Sequence, residues 1–154
     1  MIKGMISRIV STVSSTEAVS DDRDATLRMA TAVLLIDVAR ADHLFDESEF
    51  DRLLQLVAKH FELSAEDAAE LVIAANDRAD ELVSVHEFTK LLHEHLDDDD
   101  KARVVSLLWQ IAYADGRLDK YEDSLVLKIS DLLYVSRGRV MRLKHDAAQA
   151  AGQV

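Results

Sequence analysis

The feature that most limits the fold of this chain is its lack of helix-breaking residues: the 154 residues include no proline and only four glycines. A proline inside a helix removes a hydrogen bond, and a glycine there costs about 1 kcal/mol relative to alanine. Apolar residues also recur at helical spacing along most of the sequence. These patterns predict an all-α fold, a single-domain bundle of about seven to eight helices.

The composition excludes several classes of function. The chain has 18 basic and 29 acidic side chains, a formal net charge of −11. This charge repels the phosphates of nucleic acids and favours cations or basic partners. The absence of cysteine excludes disulfides, thiolate metal sites and cysteine nucleophiles. No apolar run approaches the ~20 residues of a transmembrane helix, so no transmembrane segment is predicted.

The chain divides into an N-terminal segment, residues 1–24, and a helical domain, residues 25–150. The segment is predicted to be an amphipathic helix that docks on the domain, followed by a polar loop from Ser14 to Asp24; weak membrane-surface association is the alternative. Its apolar stripe consists of Ile2, Met5, Ile6, Ile9, Val10 and Val13. In the domain, Ser64 with Asp67 and Ser84 with Glu87 predict capping boxes, and the acidic run from Asp97 predicts a helix start.

The domain repeats itself. Residues 34–49 align without a gap on residues 107–122, and seven of the sixteen positions are identical. Phe61 to Ser64 also resembles Leu133 to Ser136. The first repeat covers about residues 25–82 and the second about residues 98–148. This pattern predicts two pseudo-symmetric halves whose buried helices pack at the centre.

The repeated element contains three acids in the pattern Ala-Asp-x-x-x-Asp-x-x-Glu. The first acidic motif carries Asp42, Asp46 and Glu49, and the second carries Asp115, Asp119 and Glu122. Each motif lies between a buried helix and the next helix. Gly116 in the second motif suits the left-handed end of a helix.

Two interpretations of these acids stay open. Asp46 and Asp119 stand where a helix N-cap is expected, and Glu49 and Glu122 would complete capping boxes. Asp42, like its counterpart Asp115, ends a helix, where the helix dipole disfavours negative charge by ~0.3–1 kcal/mol. Either a bound hard cation neutralises that negative charge, or the carboxylates accept hydrogen bonds from backbone amides in Asx turns.

Other chemistry is poorly supported. The spacing does not fit an EF-hand, because Leu44 and Arg117 occupy the third loop position, where an acid is needed. Asp37 could be a further ligand, although a hydrogen-bonded core position is the better interpretation. His86, His93 and His95 are predicted to face solvent.

No nucleophile, base and oxyanion donor assemble, so an enzyme is not predicted; a metal-dependent hydrolase is the third-ranked hypothesis.

With its two motifs, the sequence resembles the tellurite-resistance TerB family over about residues 25–143. The second motif, from Ala114 to Glu122, matches the family signature fully, whereas the first has His43 in place of glycine and a bulky Phe45. The resemblance implies an all-helical fold and a divalent-cation site, calcium being one candidate, built from Asp42, Asp46, Glu49, Asp115, Asp119 and Glu122.

The resemblance also implies a cytoplasmic role in tellurite or general stress response, with protein partners that include membrane-associated stress-response proteins. The family module occurs fused to other domains, which favours binding over catalysis. The leading hypothesis is therefore a non-enzymatic, cation-binding module. The alternative is a protein-interaction bundle whose acids only cap helices and contact a basic partner.

Overall fold

The computed structural model describes residues 15–41, 47–81, 84–114 and 116–152, and these residues form seven α-helices and no strand. The helices are α1 (Ser15–Ala39), α2 (Glu47–His60), α3 (Ala65–Asp80), α4 (His86–His95), α5 (Asp98–Ala112), α6 (Lys120–Leu132) and α7 (Arg137–Ala150). The predicted all-α fold is confirmed. Within the described part of the chain, no helix has the length and apolar character needed to span a bilayer.

Helices α1 and α5 pack against each other at the centre of the bundle. Helix α1 also contacts α2 and α3, while α5 contacts α6 and α7. Contacts between the halves come in matching pairs, α1 with α6 and α2 with α5, and α4 packs on α1 and α6. The two central helices supply much of the core, since residues 32–36 of α1 are fully buried, as are Leu108 and Trp109 of α5. The twofold relation of the halves stays a prediction.

The start of α1 corrects the predicted loop between Ser14 and Asp24, because the helix already begins at Ser15. The polar composition of this stretch suggested a loop, yet it contains no proline or glycine. A polar stretch next to a buried helix extends that helix easily, since each added residue gains one backbone hydrogen bond after nucleation. The predicted amphipathic helix spans Met1 to Ser15, and all of it except Ser15 lies outside the described residues.

The connections α2–α3 and α6–α7 have the same construction. Glu62 and Tyr134 adopt left-handed backbone conformations, with φ of 54° and 60°. The residue after each donates its amide back into the preceding helix, Leu63 to the Ala58 carbonyl at 2.9 Å and Val135 to the Ser130 carbonyl at 3.1 Å. This is the Schellman arrangement of a helix C-terminus. The resemblance of the two sequence segments therefore corresponds to a shared local geometry.

Side-chain caps confirm two of the predicted helix starts and correct a third. Ser64 Oγ accepts the Asp67 amide at 3.1 Å, and Asp97 Oδ1 accepts the Asp100 amide at 2.8 Å. The predicted capping box of Ser84 with Glu87 is wrong. Ser84 Oγ accepts from the amide of His86, two residues on, and the N-cap residue of α4 is Val85, which makes no side-chain cap.

Basic residues of α7 pair with acids on neighbouring elements. Arg139 Nη2 lies 3.0 Å from Asp99 Oδ1 of α5, and Lys144 Nζ lies 2.7 Å from Asp123 Oδ1 of α6. The ammonium group of Lys144 is also 5.2 Å from the ring centroid of Trp109. The indole Nε1 of Trp109 donates to the Val140 carbonyl at 3.1 Å. These ion pairs tie α7 to α5 and to α6.

Candidate functional site

Each acidic motif leads from a central helix, α1 or α5, into the helix that follows it, α2 or α6. Three of the six predicted ligands, Asp42, Asp46 and Asp115, lie outside the described residues. Glu49, Asp119 and Glu122 lie within them. Among the described residues, no group of three or more His, Asp or Glu side chains is arranged to hold a metal ion. The predicted ligand set therefore stays a prediction.

The glutamates of the two motifs are buried to the same degree. Glu49 is the third residue of α2 and Glu122 the third residue of α6, and each side chain is 1% exposed. The positive end of the helix dipole favours a carboxylate in a first turn. Burial of a charged group nevertheless costs free energy unless other groups compensate it. In both motifs, the helix start thus carries a carboxylate into the protein interior.

Asp119 occupies the N-cap position of α6, as predicted, with φ −82° and ψ 148°, but its side chain makes no capping hydrogen bond. Its Oδ2 atom is buried and accepts no hydrogen bond from the described residues. Asp97 has the same position at the start of α5 and does cap its helix. Capping therefore explains the carboxylate of Asp97 but not that of Asp119.

This difference gives a matched pair of variants. We expect Asp97→Ala to lower the free energy of unfolding by about 0.5–2 kcal/mol, because the Asp100 amide loses its acceptor. Asp119→Ala should cost less than about 0.5 kcal/mol in the presence of a chelator, because no cap is lost. Denaturant melts of both variants check this. Equal destabilisation by the two changes would show that Asp119 caps α6 in solution.

The backbone before Asp119 has the conformation that the sequence predicts. Gly116 has φ 85°, and its amide donates to the Tyr113 carbonyl at 2.9 Å, which ends the turn after α5. A residue with a side chain adopts this left-handed conformation at a cost of about 1–2 kcal/mol. The prediction for Gly116 is confirmed, while its counterpart His43 lies outside the described residues.

A cavity of about 290 Å³ adjoins the second motif between α2, α5 and α7. Its lining includes Arg52, Gln110, Tyr113 and Gly116, with alanines of α7 on the far side. Arg52 Nη2 donates to Gln110 Oε1 at 3.5 Å, which links α2 of the first half to α5 of the second. Neither Arg52 nor Gln110 was singled out as a candidate from the sequence.

The end of α1 near the first motif is held by polar contacts. Arg40 Nη2 lies 2.6 Å from Asp80 Oδ1 on α3. Asp37, one helical turn before Arg40, is half-buried. Burial raises the pKa of its carboxyl above the ordinary value near 3.8, and the positive charges of Arg40 and Lys128 lower it in part. The carboxylate of Asp37 is thus a polar group partly enclosed by the core.

The raised pKa of Asp37 predicts a pH effect. A protonated Asp37 favours the folded state, so its contribution is fully present below pH ~3.8 and is lost as the pH rises through the higher folded-state pKa. We therefore expect Asp37→Asn to increase stability at pH 7 relative to wild type, and this gain should vanish near pH 3.5. Urea melts across this range measure it. A gain that does not change with pH would contradict the assignment.

The histidines of α4 are exposed, as predicted for His86, His93 and His95. His93 contacts Lys101, with 2.6 Å between its Nδ1 atom and the lysine Nζ atom. Lys101 is only 6% exposed. Its ring also packs on Tyr134, with 4.4 Å between ring centroids. The burial of Lys101 had no signal in the sequence. The Nδ1 atom of His93 is therefore engaged by a cation in this structure.

Comparison with known proteins gives one family match. The family model described as tellurite resistance protein TerB matches residues 28–145, which include all seven helices at least in part and both acidic motifs. No curated protein and no solved structure gives a significant match to the chain.

Proposed function

Because this chain belongs to the TerB family of tellurite-resistance proteins, we propose that it is a non-enzymatic module that binds a divalent cation through its acidic motifs. The observation that carries the proposal is Asp119, whose N-cap carboxylate leaves its helix uncapped and keeps Oδ2 buried. A buried carboxylate oxygen without a donor costs free energy, which a bound cation would recover.

The burial of Glu49 and Glu122 supports the same proposal. Each of these glutamates is the third residue of its helix and is 1% exposed, and each follows an aspartate of its motif by three residues, about one helical turn. Negative charges that crowd one loop repel each other unless a cation lies among them. The repetition of this arrangement in both motifs favours a shared cause over two separate accidents of packing.

The donor type fits a hard divalent cation. Ca²⁺ and Mg²⁺ take oxygen ligands, with Ca²⁺ accepting six to eight and Mg²⁺ retaining more of its water. Asp115, Asp119 and Glu122 would hold the ion at the second motif, and Asp42, Asp46 and Glu49 would do so at the first. Bound there, the ion supplies positive charge and a link between the end of one helix and the start of the next.

Calorimetric titration and thermal melts test this proposal. Purified protein would be treated with chelator and then titrated separately with Ca²⁺, Mg²⁺, Mn²⁺ and Zn²⁺. At least one ion should produce saturable heat and raise the melting temperature, by the equivalent of about 2.7 kcal/mol at a free concentration of 100 Kd. Asp119→Asn should lose the share of this response that the second motif contributes.

Asp97→Asn is the matched control, because it removes one carboxylate from the N-cap of α5 and leaves the acidic motifs intact. It should keep the full response to the cation. A wild-type protein that shows no heat and no thermal shift overturns the proposal, as does an unchanged response in Asp119→Asn. The second result would favour the alternative in which the acids contact a basic protein partner.

The wider role is proposed from family membership. We place the module in the cytoplasm, in tellurite or general stress response, with protein partners among membrane-associated stress-response proteins. Its non-enzymatic character follows from a sequence in which no nucleophile, base and oxyanion donor assemble. Deletion of the gene should then sensitise cells to tellurite, and the Asp119→Asn form should restore less resistance than the wild-type protein.

A further inference from the structure

Helices α3 and α7 begin in the same way. Ser64 Oγ accepts from the amide of Asp67 at 3.1 Å, and Ser136 Oγ accepts from the amide of Arg139 at 3.3 Å. Counted from these two serines, the buried residues also match: Ala68 with Val140, and Ala75 with Ala147. The two helices therefore turn corresponding sides toward the core and corresponding sides outward.

The outward sides carry opposite charges at matching positions. Asp67 and Arg139 each lie three residues after the N-cap serine, and Glu70 and Arg142 each lie six residues after it. All four residues are exposed. Neither Glu70 nor Arg142 takes part in an ion pair with another residue of the described part of the chain. These two side chains are therefore available for a contact with another molecule.

An apolar side chain projects from the acidic side of α3. Ile73 is 58% exposed. It lies three residues after Glu70 and four residues before Asp77, which places the three side chains on one face of the helix. A single exposed apolar residue is ordinary on a protein surface, so Ile73 gains significance only from a site that fits it.

A groove beside α7 fits Ile73 in size and in charge. Its volume is about 550 Å³, and its lining among the described residues consists of Gly138, Arg139, Arg142 and Leu143. A Cβ placed on Gly138 would meet no atom of the described residues within 4 Å, so the groove is open at this point. An apolar floor between two guanidinium groups complements an isoleucine between two carboxylates.

We propose that the face of α3 with Glu70, Ile73 and Asp77 binds the groove on α7 of a second copy of this chain. Ile73 enters the groove beside Gly138, and Glu70 pairs with Arg142 of the second copy. Helix α3 packs on α1 and α2, whereas α7 packs on α5 and α6, so one copy can offer both surfaces. Two such contacts close a symmetric dimer, and a single contact leaves surfaces to which further copies can bind.

A second copy is the occupant that the charges favour. An unrelated acidic partner would match only the groove on α7, whereas a second copy matches both the groove and the acidic face of α3. The net charge of −11 makes copies repel each other at long range. At about 0.15 M salt this repulsion is screened beyond about 8 Å, while pairs in contact are screened less. Because one helix face meets another, the interface is small and the association is weak.

Charge reversal in the full chain tests the contact. Sedimentation velocity at about 0.15 M salt, from micromolar to millimolar protein, should show an average mass that rises above the 17.2 kDa of the monomer. Glu70→Arg and Arg142→Glu should each weaken the association roughly tenfold or more, because each brings like charges together. The double variant Glu70→Arg, Arg142→Glu keeps the net charge of the wild type and should restore association. An equimolar mixture of the two single variants should do so as well.

Two further variants separate the contact from general effects. Glu94→Arg is the matched control for Glu70→Arg, because Glu94 is an exposed glutamate of α4 and the change in net charge is the same. It should not weaken the association. Ile73→Ala should weaken it roughly fivefold, since less apolar surface leaves water on contact. Circular dichroism should show the same helix content in every variant.

Four results would overturn the proposal. A mass that stays at the monomer value up to millimolar protein would show that copies do not associate. Association that survives both single reversals would place the contact on another surface. Equal weakening by Glu70→Arg and Glu94→Arg would attribute the effect to net charge. Weakening in the single variants without recovery in the double variant or the mixture would mean that Glu70 and Arg142 do not meet.

Discussion

We expect Trp109→Ala to lower the free energy of unfolding by about 3–5 kcal/mol, a large fraction of the about 5–15 kcal/mol by which native proteins are stable. Trp109 is fully buried on α5, its indole N–H donates to the Val140 carbonyl of α7, and the Lys144 ammonium lies above its ring. Lys144 in turn pairs with Asp123 of α6. The substitution thus leaves a large cavity where three helices meet. Urea melts followed by circular dichroism measure the loss.

Two further substitutions separate the contributions at this junction. Trp109→Phe keeps most of the apolar volume but loses the hydrogen bond to Val140, so we expect a cost of about 1–2 kcal/mol. Lys144→Met keeps the aliphatic stem and removes the ammonium group, and it should cost less than Trp109→Phe. If Trp109→Ala costs no more than Trp109→Phe, the ring is not the packing centre of the three helices.

Leu35→Ala and Leu108→Ala should each cost about 2–5 kcal/mol, and the two losses should be similar. Leu35 on α1 and Leu108 on α5 are aligned positions of the two repeats, and both are fully buried. Ile73→Ala is the control, because Ile73 is 58% exposed and should cost less than about 0.5 kcal/mol. Denaturant melts of the three variants provide the comparison. A large loss at only one of the two leucines would mean that the central helices are not packed equivalently.

Most of the fold could be predicted from the sequence because it follows from local patterns. Helix α2, Glu47–His60, is an example, since its apolar face, first-turn acids and last-turn basic residues all indicate the same helix. The cap at Ser64 and the helix start at the acidic run from Asp97 were also predicted correctly, because both depend on residues only a few positions apart; the cap that Asp97 makes was not predicted.

The differences arise where contacts distant in sequence decide the structure. The start of α1 at Ser15 was missed because polar composition outweighed the absence of any helix breaker. The burial of Lys101 beside His93 depends on how α4 and α5 meet, which no local pattern encodes.

In the candidate site, too, the positions of residues along the helices were predictable, whereas the burial of their side chains was not. The sequence placed Asp119 at an N-cap and Glu122 in the first turn of α6, and both positions are confirmed. It did not reveal that Asp119 leaves the helix uncapped or that Glu49 and Glu122 are almost fully buried. Side-chain direction and burial at these positions depend on the packing of α2 and α6 around the central helices.

The matching connections at Glu62 and Tyr134 have a consequence for the order of folding. Each connection joins two helices through only four residues. The contacts between α2 and α3, and those between α6 and α7, therefore form between residues that are close in sequence. Contacts of α1 with α5 join helices that are separated in sequence by three other helices, and they require closure of a much larger loop. Chains whose contacts are mostly local fold within microseconds to milliseconds. We therefore expect the two hairpins to form early and independently, and the meeting of the central helices, which flank each acidic motif, to follow more slowly.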